Sequence, residues 1–190
     1  LKASLTSGLA EVLSAMRASG LVDVGRISGD GPVALRATMT GSAERPVVSG
    51  TIDLGPGSVT VDDLPAVTGL QLRARVDEGW LDVIGLTGTW QFSELNADGR
   101  VPLRLLQPYL PDAFAAAMPA AAGPATLNAR ATGLTPRALA PFLDPETMSD
   151  IEGNVDISAR LEADALSLEA VKGEVRLDRL DAKLAGLPVA

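Results

Sequence analysis

The stretch Gly69-Leu70-Gln71-Leu72-Arg73-Ala74-Arg75-Val76-Asp77 alternates aliphatic and polar side chains. Successive side chains of a β-strand point to opposite faces of its sheet, so this period of two predicts a strand with one apolar and one solvated face. Parallel strands in α/β proteins are buried on both faces and lack such alternation. The stretch therefore predicts an antiparallel sheet.

The same alternation recurs along most of the chain, for example over residues 126–131 and 153–163. Three groups of residues tolerate positive φ or preset a turn, and they predict breaks between strands: Gly55-Pro56-Gly57, Asp77-Glu78-Gly79 and Asp98-Gly99. We expect about twelve strands in an all-β, mainly antiparallel fold.

Three short helices are expected to interrupt the strands, over residues 5–18, 104–118 and 135–143. The first is predicted from leucines and a methionine that recur at helical spacing. The third has the clearest start, because Thr135 is a suitable N-cap and Pro136 occupies the first helical position.

The composition excludes several classes of function. The chain of 190 residues has no His and no Cys, which removes His-based catalysis, Cys nucleophiles and disulfides. Its net charge of −8 is unsuited to nucleic acid, whose phosphates are bound by clustered Lys and Arg. We therefore expect a non-enzymatic protein without a cofactor or metal.

An internal repeat indicates an array. Val48-Ser49-Gly50-Thr51-Ile52-Asp53-Leu54 reappears as Val171-Lys172-Gly173-Glu174-Val175-Arg176-Leu177, which lies 123 residue numbers later (Gly50 to Gly173). We expect residues 1–190 to be a fragment of a repeat-built β-groove domain. Its approximate repeats would cover 5–65 and 134–188, with connecting hairpins and a helix over 66–133.

The acidic pairs have two interpretations. Asp62-Asp63, Asp77-Glu78 and Asp144 with Glu146 could serve as calcium ligands or acid/base groups, but each pair lies beside Gly, Pro or a strand end. The spacing of an EF-hand loop is missing. Turn formation and solvation are the favoured interpretation.

The few large aromatic side chains also have two interpretations. Trp80, Trp90 and Phe92 could form an aromatic box for a ligand, or they could cap the apolar face of the sheet. Their spacing is that of a strand, which favours the second role.

One face of the predicted sheet is aliphatic along many strands. Two such faces could close on each other as a sandwich, or one sheet could form a trough that stays open to an apolar ligand. The residues predicted to line such a groove are Leu54, Val59, Val61, Leu70, Leu72, Ala74, Val76, Leu95, Val101, Leu127, Val155, Ile157, Leu161, Val175, Leu177 and Leu184.

Several segments follow one another in a characteristic order. They are the Val48 to Leu54 motif, Leu64-Pro65, Leu70 to Ala74, Gly79-Trp80-Leu81-Asp82-Val83, Ala97-Asp98-Gly99-Arg100-Val101-Pro102-Leu103 and Gly133-Leu134-Thr135-Pro136-Arg137-Ala138-Leu139-Ala140-Pro141-Phe142-Leu143. Together they resemble the repeating segments of the TamB and AsmA-like family of Gram-negative envelope proteins. The resemblance extends over nearly the whole chain.

The resemblance implies a β-taco, which is a long U-shaped sheet with a hydrophobic interior. It also implies a periplasmic location, with an inner-membrane anchor that we expect only outside residues 1–190. Proteins of this family are implicated in phospholipid transport between the inner and outer membranes and in outer-membrane biogenesis with a barrel partner.

Our leading hypothesis is therefore a hydrophobic groove that binds phospholipid acyl chains. The first alternative is a structural or protein-interaction β-scaffold that aids outer-membrane protein assembly. The second is an adhesin-like passenger solenoid, although such solenoids repeat at much shorter periods than this chain.

Overall fold

The chain forms one open antiparallel β-sheet, so the predicted all-β fold class is confirmed. A computed structural model describes residues 1–19, 26–41, 46–62, 64–109, 121–139, 151–165 and 168–184. Within these ranges, ten strands belong to a single sheet that does not close into a barrel.

The strands are β1 (Lys2–Gly8), β2 (Ile27–Asp30), β3 (Pro32–Gly41), β4 (Pro46–Val61), β5 (Val67–Asp77), β6 (Trp80–Trp90), β7 (Ser93–Pro102), β8 (Ala125–Leu134), β9 (Ile151–Ala163) and β10 (Val171–Leu184). The helices are α1 (Leu9–Ser19), α2 (Pro136–Leu139) and two 3-10 helices, Leu103–Tyr109 and Leu168–Ala170. None of the helices in the described ranges is both long and apolar enough to cross a membrane.

The strands follow chain order across the sheet, from β1 through β3 to β10, and β2 pairs with the far end of β4. Tight turns join the central strands. Glu78 and Gly79 have φ of 46° and 84° between β5 and β6, as the turn chemistry predicts. Gln91 and Phe92 have φ of 47° and 73° between β6 and β7.

Two of the predicted turns are instead parts of strands. Gly55-Pro56-Gly57 lies inside β4, where the register shifts between Leu54 and Gly57 as a β-bulge. Gly99 lies inside β7 and pairs with Leu127 of β8. A Cβ on Gly99 would collide with the carbonyl oxygen of Thr126, so this glycine serves a close approach between two strands.

The first predicted helix is wrong at its start. Residues 2–8 form β1, and Leu5 pairs with Leu35 of β3, so α1 begins only at Leu9. Pairing with β3 overrides the helical spacing of the leucines. The backbone N–H of Gly8 donates to the carboxylate of Glu11 over 3.2 Å, and the hydroxyl of Ser7 donates to the same oxygen, which together cap the helix.

The other two helices are shorter in the described part of the chain than predicted. Of the predicted helix over 104–118, the structure describes only the 3-10 helix Leu103–Tyr109. The third helix begins as predicted, because Thr135 Oγ1 accepts a hydrogen bond from the N–H of Ala138 over 3.3 Å. Its predicted end near Asp144 lies outside the described residues.

The internal repeat has a counterpart in strand pairing. Ala37 pairs with Gly50 and Val33 pairs with Leu54, while Leu161 pairs with Gly173 and Ile157 pairs with Leu177 at the equivalent positions. Both strand pairs then shift register by one residue, between Leu54 and Ser58 in the first copy and between Leu177 and Arg179 in the second.

The equivalence extends beyond the motif found in the sequence. Leu5 pairs with Leu35 in the first copy as Ala129 pairs with Ala159 in the second, so β8 corresponds to β1. At the far end, Ile27 pairs with Val61 as Ile151 pairs with Leu184. The repeated structural unit is thus one strand, a helical connection and a pair of long strands. The division of the chain into 5–65 and 134–188 stays a prediction.

Candidate ligand-binding face

One side of the sheet, which we name the apolar face, is aliphatic across all the strands. Directly paired residues lie on the same face, and alternate residues of a strand share a face. Leu54 pairs with Leu72, Leu72 with Leu86 and Leu86 with Ala97. The row continues from Ala97 through Ala129 and Ala159 to Val175 in β10.

No charged residue lies on the apolar face at any paired position of the described strands. The charged residues lie on the opposite side, which we name the polar face. There Arg100 Nε lies 2.8 Å from Asp82 Oδ1, and Arg73 Nε lies 3.5 Å from Asp53 Oδ1. These pairs are solvent-exposed and contribute at most about 1 kcal/mol each to stability.

The predicted groove-lining residues come together on the apolar face. The register places there Leu54, Val59, Val61, Leu70, Leu72, Ala74, Val76, Leu95, Val101, Leu127, Val155, Ile157, Leu161, Val175 and Leu177. The backbone of Leu184 pairs with Ile151, in phase with the same face. The role of these residues as the lining of a lipid-binding groove stays a prediction.

Bulges keep the apolar residues in phase, and the sequence pattern alone does not reveal them. Gly69, with φ of 59°, lies in an irregular part of β5. Val67 and Leu70 therefore share a face although they are three residues apart, a spacing that would place them on opposite faces of a regular strand. Glycine adopts this left-handed conformation without a steric penalty. A second shift between Leu54 and Gly57 does the same for Val59.

Burial divides the apolar face into covered and open regions. Ala74 and Leu70 are 1% and 8% exposed near the middle of the sheet, whereas Leu127 is 38% exposed and Val175 is 72% exposed toward β10. The described strands form one sheet, so they are not a sandwich of two sheets whose aliphatic faces close on each other. Much of the apolar face therefore remains in contact with solvent.

An apolar depression of about 190 Å³ lies on the open part of this face. Leu127 and Leu161 pair across its centre. Thr126 and Glu162 are also among its lining, although both have the strand phase of the polar face. The remaining lining is Val83, Gly99, Val101, Ala125, Ala163 and Val171. Such a surface matches the chemistry of a hydrocarbon chain.

A larger depression, of about 470 Å³, lies on the polar face over β7 to β10. Its lining includes Asp98, Arg130, Arg160 and Glu174, which are charged side chains of both signs. Its volume exceeds that of the apolar depression. A hydrocarbon ligand would be disfavoured there, because it would remove the charged side chains of the lining from contact with water. We therefore place the candidate site on the apolar face.

The large aromatic residues do not form a box. Trp80 and Trp90 are the two end residues of β6, and Phe92 is 93% exposed in the following turn. Trp80 lies on the polar face, where the guanidinium carbon of Arg100 stands 4.2 Å from its ring centroid. The expectation that all three cap the apolar face is therefore wrong for Trp80, because it has the strand phase of Asp82.

The acidic residues occupy turns and strand ends where they are described. Asp62 has φ of 51° and lies 3.4 Å from Arg26, and Asp77 ends β5 beside Arg75 at 3.6 Å. Asp63, Asp144 and Glu146 lie outside the described residues. In the part of the chain that the structure describes, no group of three or more acidic side chains is arranged to hold a metal ion.

No protein family, no curated protein and no solved structure matches the chain. The resemblance to the TamB and AsmA-like family accordingly stays a prediction from the sequence pattern.

Proposed function

We propose that this chain is a non-enzymatic hydrophobic groove for phospholipid transport between the inner and outer membranes, as part of outer-membrane biogenesis. The observation that carries the proposal is the apolar face, which is free of charge at its paired positions and partly open to solvent. With about 4.8 Å between neighbouring strands, the face extends about 40 Å across the sheet.

Acyl chains would lie against the exposed aliphatic side chains, and each methylene taken out of water would contribute about 0.8 kcal/mol. The headgroup would remain in water at the open side of the apolar depression. No bond is made or broken in this mechanism. Under the same proposal the chain works in the periplasm, anchored to the inner membrane, beside an outer-membrane assembly barrel.

The test is binding of a fluorescent fatty-acid probe to the wild-type chain and to two variants. Leu127→Asp introduces a carboxylate into the apolar depression at a position that is 38% exposed, so the carboxylate can reach water and the fold should persist. Covering this unpaired charge with a hydrocarbon chain should weaken probe binding by at least about tenfold.

Asn96→Asp is the matched control. Asn96 pairs with Arg130 and is exposed on the polar face, so this variant adds the same charge to the opposite side of the sheet. We expect its probe affinity to equal that of the wild type. A folded wild-type chain that binds no probe, or equal affinities for both variants, would contradict the proposal.

A second candidate function is the structural or protein-interaction scaffold. Among the described residues the outer edge of β10 has no partner strand, which favours it because an unpaired strand edge is a template for pairing with another chain.

A further inference from the structure

A depression of about 350 Å³ lies on the polar face over the inner strands β3, β4 and β5. Thr51 of β4 stands between two basic residues, because it pairs with Arg36 of β3 and with Arg75 of β5. Thr38 and Ser49 pair with each other beside them and also line the depression. Two guanidinium groups and three hydroxyl groups therefore share one small surface.

Arg36 has no ion-pair partner in the part of the chain that the structure describes. Its direct cross-strand neighbours, Ser4 and Thr51, are uncharged, and no carboxylate of the described residues lies within 4 Å of its guanidinium. On the same face, Arg73 has Asp53 at 3.5 Å. A guanidinium carries five N–H donors, so Arg36 has several that it can offer to an anion.

Arg75 is paired only loosely. Its Nη2 lies 3.6 Å from Oδ2 of Asp77, which is longer than a charge-assisted hydrogen bond, and its side chain is 56% exposed. Asp77 is the one carboxylate among the described residues that line the depression, so the two guanidinium groups leave a net positive charge there. The backbones of β3 and β5 are about 10 Å apart across β4, a distance over which two arginine side chains can converge on one small anion.

The hydroxyl of Thr51 also lacks a partner. Its Oγ1 is closed off from solvent and forms no hydrogen bond with the described residues. Buried polar side-chain atoms in proteins are nearly always hydrogen-bonded, so an unpaired one requires an explanation. An anion held between Arg36 and Arg75 would accept a hydrogen bond from this hydroxyl.

The second copy of the repeat places a carboxylate where the first has this hydroxyl. Arg160 is the repeat equivalent of Arg36. Glu174 stands opposite Arg160, whereas Thr51 stands opposite Arg36. The positive charge of the first copy is therefore left available to an anion from outside the chain.

We propose that the depression around Arg36, Thr51 and Arg75 binds the phosphate group of a small soluble molecule. The two guanidinium groups donate hydrogen bonds from opposite sides, and the hydroxyl of Thr51 donates between them. Phosphate fits this arrangement because it accepts several hydrogen bonds at once and matches the planar fork of arginine. The depression lies on the polar face, so a lipid whose acyl chains lie on the apolar face cannot reach it with its own phosphate. The inference is independent of acyl-chain binding.

The first test is a titration of the full chain with potassium phosphate, at an ionic strength held constant with potassium chloride. NMR of the arginine side-chain N–H groups should show saturable shifts for Arg36 and Arg75, and no comparable shift for Arg73. Glycerol 3-phosphate should give the same result. Absence of saturable shifts, or equal shifts with chloride alone, would overturn the inference.

A vesicle experiment distinguishes a soluble phosphate from a lipid headgroup. Vesicles of phosphatidylcholine with added phosphatidic acid present the same chemical group on a membrane. Binding of the chain to these vesicles without binding of inorganic phosphate or glycerol 3-phosphate would overturn the inference, because the ligand would then be a membrane surface.

Substitutions at Thr51 test the role of the hydroxyl. Thr51→Glu supplies the carboxylate of the second copy between the two arginines and should abolish phosphate binding. Thr51→Val removes only the hydroxyl and should weaken phosphate affinity by about two- to fivefold. Its melting temperature without phosphate should equal or exceed that of the wild type, because the lost hydroxyl had no partner. Wild-type phosphate affinity in both variants would contradict the proposal.

Two arginine variants separate this site from the general charge of the polar face. Arg36→Gln should weaken phosphate affinity by about three- to tenfold. Arg73→Gln is the matched control, because it removes the same charge from β5 outside the depression, and it should change the affinity by less than about twofold. Arg36 is exposed, so Arg36→Gln should fold and decides the matter even if Thr51→Glu does not fold. Equal losses in Arg36→Gln and Arg73→Gln would overturn the inference.

Discussion

Gly50→Ala should destabilise the fold although it adds only one methyl group. A Cβ on Gly50 would lie closer than 3.0 Å to the carbonyl oxygen of Arg36, and 3.4 Å from the Cα of Ala37. The close neighbour is backbone of β3, which cannot rotate away as a side chain could. β4 is also held by β5 on its other edge, so the strand has little freedom to move.

The expected change in the free energy of unfolding is the difference of two effects. Overpacking of this kind costs about 1–3 kcal/mol, while replacing glycine with alanine stabilises by about 0.4–1 kcal/mol through the unfolded chain. The net loss should be about 1–2 kcal/mol. For a chain of this size it corresponds to a melting temperature lowered by about 2–8 °C, measured by circular dichroism or calorimetry.

Two other glycines supply the controls. A Cβ on Gly85 would meet nothing within 4 Å, so Gly85→Ala should raise the melting temperature by about 1–4 °C. Gly173 is the repeat equivalent of Gly50 and approaches the carbonyl oxygen of Arg160 in the same way. Within the described residues β10 has a neighbour on one side only, so Gly173→Ala should destabilise less than Gly50→Ala. If Gly50→Ala behaves like Gly85→Ala, the reasoning from close strand approach is refuted.

Two further predictions concern the starts of the helices. Thr135→Ala removes the hydrogen bond that caps the N–H of Ala138 and should lower the free energy of unfolding by about 0.5–1 kcal/mol in urea titrations. Thr135→Ser keeps a hydroxyl at this position and should keep the stability of the wild type. Equal losses in the two variants would exclude the cap. Hydrogen bonds from the Ser7 hydroxyl and the Gly8 N–H hold the pKa of Glu11 below its ordinary value. The ionised carboxylate therefore stabilises the fold at a pH above the ordinary pKa, and this stabilisation is lost as the pH falls through the folded-state pKa. Glu11→Gln should therefore lower the melting temperature at pH 7 and converge with the wild type as the pH falls below the folded-state pKa of Glu11, and a difference that does not depend on pH would contradict this origin.

The faces of the strands could be predicted from the sequence because they depend on a local rule. Alternation of Leu70, Leu72, Ala74 and Val76 with polar residues assigns each side chain to a face once the segment is extended. The same holds for the start of α2, where Thr135 acts within one turn of the chain. The composition of the candidate site follows from these local patterns.

Other features depend on which strands meet, and only the tertiary structure decides them. Leu5 has helical spacing from Leu9, yet it pairs with Leu35, thirty residues further along the chain. The glycine of Asp98-Gly99 has the composition of a turn, but it lies in a strand because β8 approaches it closely. The free energy of pairing with a distant segment outweighs a local preference, and that segment cannot be identified from the residues around Leu5 or Gly99.

The repeat motif was visible in the sequence over seven residues, from Val48 to Leu54 and from Val171 to Leu177. The register extends the equivalence to whole strand pairs. The exposed fractions that separate Ala74 from Leu127 likewise arise from the arrangement of neighbouring strands. Alternation along a strand sets the direction of each side chain, whereas its solvent exposure is set by residues that are distant in the chain and adjacent in the fold.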